Sequence, residues 1–316
     1  MATLEQRPLG SSGLDVSVFS LGSWRTFERI GFDASVEVMR TAREVGITFL
    51  DDARYDDETG NAPIPTGYSE VLFGEVYRAV GWRRDDVVVA NKLWWEFWPD
   101  QSAEGEIDRS LQRMGLGHLD LIYSMPPPDA LPLTEAVEHV AALVTSGRAR
   151  AWGVGNWPAE LLAEAKAWCR AKGLPMPCAA QLPYSVGSSG WVEGERMAPL
   201  LSAGGTSLVA SYVLTGGVAT GKYLRGESGR MSGGAADPNE GPQAVVARHL
   251  AELAAEWGAT PAQLAFCFAL AHPALSSVLF GATSPDQVRE NVASLDVYRR
   301  LDPGQIERLR APAGAS

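Results

Sequence analysis

The chain is poor in the residues that build metal centres and covalent staples. It has three cysteines and four histidines in 316 residues. Cys169, Cys178 and Cys267 are odd in number and widely spaced, and they form neither a metal-ligand spacing nor a disulfide framework. No metal is expected, and a reduced, cytoplasmic protein is the simple reading. Cations are also in deficit. The 27 Lys and Arg face 38 Asp and Glu, for a formal net charge of −11. Binding to nucleic acid or to an anionic membrane needs clustered cations, so neither partner is expected. No stretch approaches the ~20 apolar residues of a membrane span. The opening MATLEQRPLG lacks the apolar core of a signal peptide. A Rossmann fingerprint is missing too, since GVG at 153–155 is a lone Gly-x-Gly.

What the chain has is alternation. Strand candidates are DVSVFSLG (15–22), ITFLD (47–51), DVVVANK (86–92), LDLIYS (119–124), ARAWGVGN (149–156), CAAQLP (178–183), TSLVAS (206–211) and SSVLFG (276–281). Helical patterns lie between them at 34–45, 69–80, 102–114, 132–146, 158–172, 242–257 and 285–295. Asp33 precedes the first helical run, and Ser284-Pro285 opens the last with proline at its first position. Alternating strands and helices imply a parallel sheet, and eight units at this length favour a closed barrel. The expected fold is α/β: a single (β/α)8 TIM barrel over 1–316, with a tail from about 303 to 316. Two segments rich in Gly, Pro and polar residues, 56–68 and roughly 224–241, follow strands 2 and 7. They are expected as extended loops on the C-terminal face, where barrel active sites form.

Three strand ends carry a coherent chemistry. Strand 2 ends in Asp51, Tyr55 follows four residues later, and strand 3 ends in Lys92. A free tyrosine, with a pKa of about 10, is a weak acid at neutral pH. A neighbouring ammonium stabilises phenolate and lowers that value, and an aspartate beside the lysine keeps it charged and oriented. Tyrosine can then protonate a carbonyl oxygen while hydride reaches the carbon.

At this point the sequence resembles the aldo-keto reductases and, within them, the voltage-gated potassium-channel β subunits and their bacterial relatives. PLGSSGLDVSVFSLGSW, GITFLDDARY, GWRRDDVVVANK, GHLDLIYSMPPP, RAWGVGNW, AAQLPYS, GGVATGKY and FGATSPDQVRENV follow in the family's order. The resemblance implies NADPH/NADP as cofactor, with Asp51, Tyr55 and Lys92 as the catalytic residues. Two departures stand out. The family usually places Tyr five residues after Asp, and here the gap is four, so Tyr68 in the insertion is a rival proton donor. On strand 4 most members carry His, and the channel subunits Asn, where this chain has Met125. A thioether is a weak acceptor and donates nothing. No histidine stands in directly: His118 lies seven residues earlier, roughly 23 Å along an extended strand, and His139, His249 and His272 fall in helices or connections.

For the cofactor, the resemblance implies contacts from Ser23 and Trp24 after strand 1. It assigns the nicotinamide amide to Asn156 and Gln181, and the face of the ring to Tyr212. Gly155 stands where relatives have Ser and loses a side-chain hydrogen bond. Thr283, Ser284, Gln287, Glu290, Asn291 and Lys222 match positions that hold the adenine and the 2′-phosphate ribose. A helix N-terminus attracts phosphate through its free N–H groups and dipole, and a cation beside the 2′-phosphate favours NADPH. Tyr212 as a plain rim aromatic, and Ser284 as an ordinary cap, remain open.

LWWEFW (93–98) directly follows Lys92. Trp94, Trp95 and Met125 suggest an apolar or stacking pocket suited to sugar or polyketide-like rings, unless the aromatics pack between barrel helices. The expected function is NADPH-dependent reduction of a small-molecule carbonyl. The alternatives are a nicotinamide-binding sensor with little turnover, or an enzyme of altered chemistry. A homo-oligomer is left open.

Overall fold

A computed structural model describes residues 4–202, 205–227, 237 and 239–310. A hairpin comes first, with β1 (Gln6–Pro8) antiparallel to β2 (Asp15–Ser17). Eight parallel strands then close a barrel: β3 (Phe19–Gly22), β4 (Phe49–Asp51), β5 (Val88–Leu93), β6 (Leu119–Ser124), β7 (Ala149–Gly155), β8 (Ala179–Pro183), β9 (Ser207–Ser211) and β10 (Leu275–Gly281). They neighbour one another in chain order, and β10 returns to pair with β3. The helices are α1 (Phe27–Glu44), α2 (Tyr68–Val80), α3 (Ala103–Met114), α4 (Leu133–Thr145), α5 (Ala159–Lys172), α6 (Gly190–Glu193), α7 (Ala198–Ser202), α8 (Gly241–Trp257), α9 (Pro261–Leu270), α10 (Pro285–Tyr298) and α11 (Pro303–Arg308). This is the (β/α)8 architecture. Among the described residues, no helix is long and apolar enough to cross a membrane.

Strand side chains alternate between faces. Phe49, Val88, Ala90, Leu121, Tyr123, Ala151, Ala179 and Val209 form one buried cluster inside the barrel. Their neighbours Leu50, Val89, Ile122, Trp152 and Ala180 belong to the larger cluster under the helices. The hairpin contributes Leu9, Leu14 and Val16 to the inner cluster and so fills the end of the barrel where the strands begin. Its turn needs glycine: at Gly10 φ is +52°, and a β-carbon there would lie 2.0 Å from the Cys178 carbonyl oxygen.

The structure differs from the sequence reading in several places, with β1, α6 and α7 also unanticipated. The single strand expected over 15–22 is two, split at Val18, whose N–H bonds to Glu5 O at 2.9 Å. Ser17 Oγ accepts from the Thr48 and Phe49 N–H groups at 2.9 and 3.2 Å, tying the hairpin to β4. The first helix begins before Asp33, at Phe27, with a break at Gly31 (φ +79°, ψ 178°). Helix α9 had no predicted counterpart. Leu264 to Leu270 are all buried, so it lacks the polar stripe that marks a surface helix. The tail expected from 303 starts as α11, capped by Asp302 and Gln305, and Leu309 is fully buried. Of the loop expected over 224–241, residues 228–236 and 238 lie outside the described residues, as do 311–316 of the tail.

Candidate active site

The C-terminal ends of the strands converge on one polar chain. Asp51 closes β4 and Lys92 lies near the end of β5, both buried. Lys92 Nζ donates to Asp51 Oδ1 at 2.6 Å. The other carboxylate oxygen of Asp51 accepts from Gln181 Nε2, on β8, at 2.9 Å. Lys92 Nζ is 3.2 Å from the Tyr55 hydroxyl. The order Gln181, Asp51, Lys92, Tyr55 is thus continuous across the barrel mouth.

Tyr55 reaches Lys92 because the loop after β4 folds back on the start of α2. The Tyr55 N–H donates to Ser69 Oγ at 3.2 Å, and Gly67 N–H donates to the Tyr55 carbonyl at 2.8 Å. Within that loop the Asp57 carboxylate gathers the N–H groups of Thr59 and Ala62. Tyr68, the rival donor, is the first residue of α2 and packs on the hydrophobic core. The four-residue spacing is therefore accommodated by the loop, and Tyr55 is the tyrosine brought to the lysine.

Lys92 pulls the Tyr55 pKa down, as expected, but this pull does not decide the net shift. Burial raises the pKa, Asp51 and Asp52 add to the rise, and the pull of Lys92 only partly offsets them, so the net shift is upward. Burial lowers Lys92, but the charge and hydrogen bond of Asp51, with Tyr55, outweigh it and hold the ammonium protonated. The phenol is thus a firmly protonated group beside a firmly charged one.

Aromatic rings flank the phenol. Trp24, 41% exposed, stands 6.1 Å from the Tyr55 ring, and Trp94 stands 6.2 Å away at 70°. Trp95 goes elsewhere. It is buried, its Nε1 donates to Ser124 Oγ at 3.0 Å, and it packs edge-on against Trp98 with His139 nearby. Of the two tryptophans expected in the pocket, the structure brings one. Met125 follows β6 on the rim, half-buried.

The residues expected at the cofactor stand on the same face. Ser23 follows β3 and its hydroxyl donates to Asp52 Oδ1. Asn156 follows β7 with a left-handed backbone (φ +56°) and bonds by its N–H to the Gln181 carbonyl at 3.0 Å. Tyr212 follows β9 in the same conformation (φ +57°), its ring 41% exposed. After β10, Ser284 caps α10 by accepting from the Gln287 N–H, and the Gln287 side chain accepts from the Thr283 N–H at 2.9 Å. Glu290 is exposed and Asn291 is buried on α10. Lys222 lies in the Gly-rich turns after β9. A β-carbon at Gly217 (φ +94°) would come within 3.1 Å of its Nζ, so the glycine opens the space the ammonium occupies.

Three residues outside the expected set shape the site. Asp52 is fully buried under Ser23, and its Lys92-facing carbonyl lies 3.5 Å from Nζ. Glu106, on α3, accepts the N–H groups of Trp94 and Trp95 at 2.6 and 3.2 Å and so sets the turn that aims Trp94. Tyr123 is fully buried in the inner cluster below this layer. The doubled Asp after a strand was readable as a signal for Asp52; the other two depend on packing.

A barrel rim that holds a phenol beside an ammonium and a carboxylate can hold and deliver a proton, and the sequence comparisons give the family. The chain belongs to the aldo/keto reductase family, whose pattern it matches over residues 19–312. It is 30% identical over 330 aligned residues to a probable voltage-gated potassium channel subunit beta of Oryza sativa subsp. japonica, covering 98% of this chain and 96% of that one. A protein of the same description from Arabidopsis thaliana is 30% identical over 325 residues, covering 97% and 95%. A putative voltage-gated potassium channel subunit beta of Schizosaccharomyces pombe is 29% identical over 324, covering 96% and 91%.

Proposed function

We propose that this protein is a cytoplasmic, NADPH-dependent reductase of a small-molecule aldehyde or ketone. The observation that carries the reading is the unbroken chain from Gln181 through Asp51 and Lys92 to the Tyr55 hydroxyl. The residues present suit the cofactor. An exposed ring at Tyr212, a capped helix N-terminus at Ser284 and the Lys222 ammonium cleared by Gly217 offer a stacking face, N–H donors and a cation. NADPH, when bound, supplies hydride to the carbonyl carbon.

The chain's own residues handle the proton. Tyr55 holds it at its hydroxyl, where burial keeps it protonated through neutral pH. Lys92, 3.2 Å away, stabilises the phenolate left after transfer to the carbonyl oxygen. Asp51 fixes the lysine, and Gln181 fixes Asp51. Trp24 and Trp94 flank the Tyr55 ring.

A positioned general acid contributes about 10²- to 10⁴-fold. NADPH oxidation against a carbonyl panel should therefore show turnover that Tyr55→Phe cuts by about that factor while NADPH binding persists. Loss of activity in Tyr68→Phe but not in Tyr55→Phe would reassign the donor. A second reading follows from Met125, which offers no hydrogen-bond donor, and from the channel-subunit description of the relatives: a nicotinamide-binding regulatory subunit. Tight NADPH binding with no turnover on any aldehyde or ketone selects that reading and refutes the first.

A further inference from the structure

Gly155 ends β7 on the inner side of the rim, and nothing in its backbone calls for glycine. Its φ is not in the left-handed region, and no backbone atom crowds it. What fills the space is a side chain: a β-carbon at 155 would lie 2.7 Å from Met125 Sδ and 3.7 Å from Met125 Cε, with the next neighbour, Tyr123 Cβ, at 3.8 Å. Contacts under 3 Å are repulsive, so a larger residue at 155 must push the flexible thioether out of the volume it holds. The backbone of Met125 is anchored, since its N–H bonds to the Leu93 carbonyl at 2.9 Å, one residue beyond Lys92. Gly155 in turn pairs with Gln181, whose amide holds Asp51. The sulfur therefore lies beside the polar chain, on the β6–β7 side.

We propose that Met125 and Gly155 act as one specificity-determining unit, making the β6–β7 wall of the site a single thioether that admits hydrocarbon and rejects hydroxylated substrate flanks. The proposal rests on the reductase reading above. A thioether donates no hydrogen bond and accepts weakly. A hydroxyl pressed against it loses its water without replacement, a loss that corresponds to about 10- to 100-fold in relative kcat/KM. The carbonyl is then polarised from the Tyr55–Lys92 side alone. Of the ring classes that aromatic walls suit, this favours the alicyclic or aryl ketone and the aliphatic aldehyde over the sugar.

The test is a double-mutant cycle on the whole chain with NADPH. The kcat/KM ratio of an unbranched aliphatic aldehyde to a sugar aldehyde of equal carbon number should be about 10 or more in the wild type. Met125→Asn should shrink it by about 10-fold. Gly155→Ala, by displacing the sulfur, should change the ratio and lower Tm by about 2 °C. In a Met125→Ala background, where the added methyl meets no sulfur, Gly155→Ala should leave the ratio unchanged and raise Tm slightly, because alanine restricts the unfolded chain. Equal effects of Gly155→Ala in both backgrounds overturn the pairing. Coupled melting with an unchanged substrate ratio overturns the specificity role. Absence of turnover in the wild type overturns the reductase reading and the specificity role with it, and the melting cycle still decides whether the two residues form a unit.

Discussion

Replacing Asp52 by asparagine should make the variant progressively more stable relative to the wild type as pH rises. The Asp52 carboxyl is fully buried. One oxygen accepts from Ser23 Oγ, and the other has no hydrogen-bond partner among the described residues. Burial raises its pKa well above the ordinary carboxylate value and the Glu70 charge adds to this, against smaller opposing effects from Ser23, the Ala53 N–H and Lys92. The sign then follows. Below the unfolded value of about 3.9 the carboxyl is protonated in both states and costs nothing. Above it, and up to the raised folded value, the folded chain holds one proton more than the unfolded chain. Stability is therefore lost with rising pH at about 1.4 kcal/mol per pH unit. Asparagine keeps the shape and an oxygen for Ser23, and it does not titrate. Its advantage over the wild type should grow by about 1.4 kcal/mol per pH unit, close to tenfold in the folding constant. Urea unfolding of both proteins at a series of pH values from about 4 upward reads the difference directly, and the gap should widen until the pH passes the raised folded value and then level off. Parallel curves would refute the reasoning. An advantage that shrinks with pH would mean that the site stabilises the carboxylate.

Two further outcomes are expected. Lys222→Ala should weaken NADPH binding by about 10-fold or more and NADH by about 2-fold or less, read by fluorescence titration, because the lost cation would face the 2′-phosphate; equal losses would count against that role. Burial pushes the Cys169 thiol up to about 11 and Cys178 and Cys267 to about 12. A disulfide reagent near pH 8 should therefore label none of the three in the native protein and all of them after unfolding, and a fast native reaction would contradict the buried placement.

The barrel was legible because its strands are short, apolar and regularly punctuated. The strand runs at 119–124 and 149–156 need at most one residue of adjustment. Helix α9 was not legible from periodicity, since burial on all sides erases the stripe, although Thr260 and Gln263 spelled out its capping box. For the candidate site, residue types at and just after strand ends picked out Asp51, Lys92 and Tyr55, which the structure brings into contact. Their separation along the chain could not tell Tyr55 from Tyr68, because that depends on how residues 53–67 fold back through Ser69 and Gly67. The direction of the Tyr55 shift was missed for a related reason. A sequence displays the lysine but not the burial that opposes it. Trp94 and Trp95 are adjacent and identical in type, and only the turn held by Glu106 separates a ring at the site from a ring in the wall.

The hairpin has a consequence for the rim. With Leu9, Leu14 and Val16 completing the packed inner cluster where the strands begin, that end supplies the apolar filling of the barrel interior. The opposite ends of the same strands are then free to carry polar side chains, as Asp51 and Lys92 do, without having to fill the core.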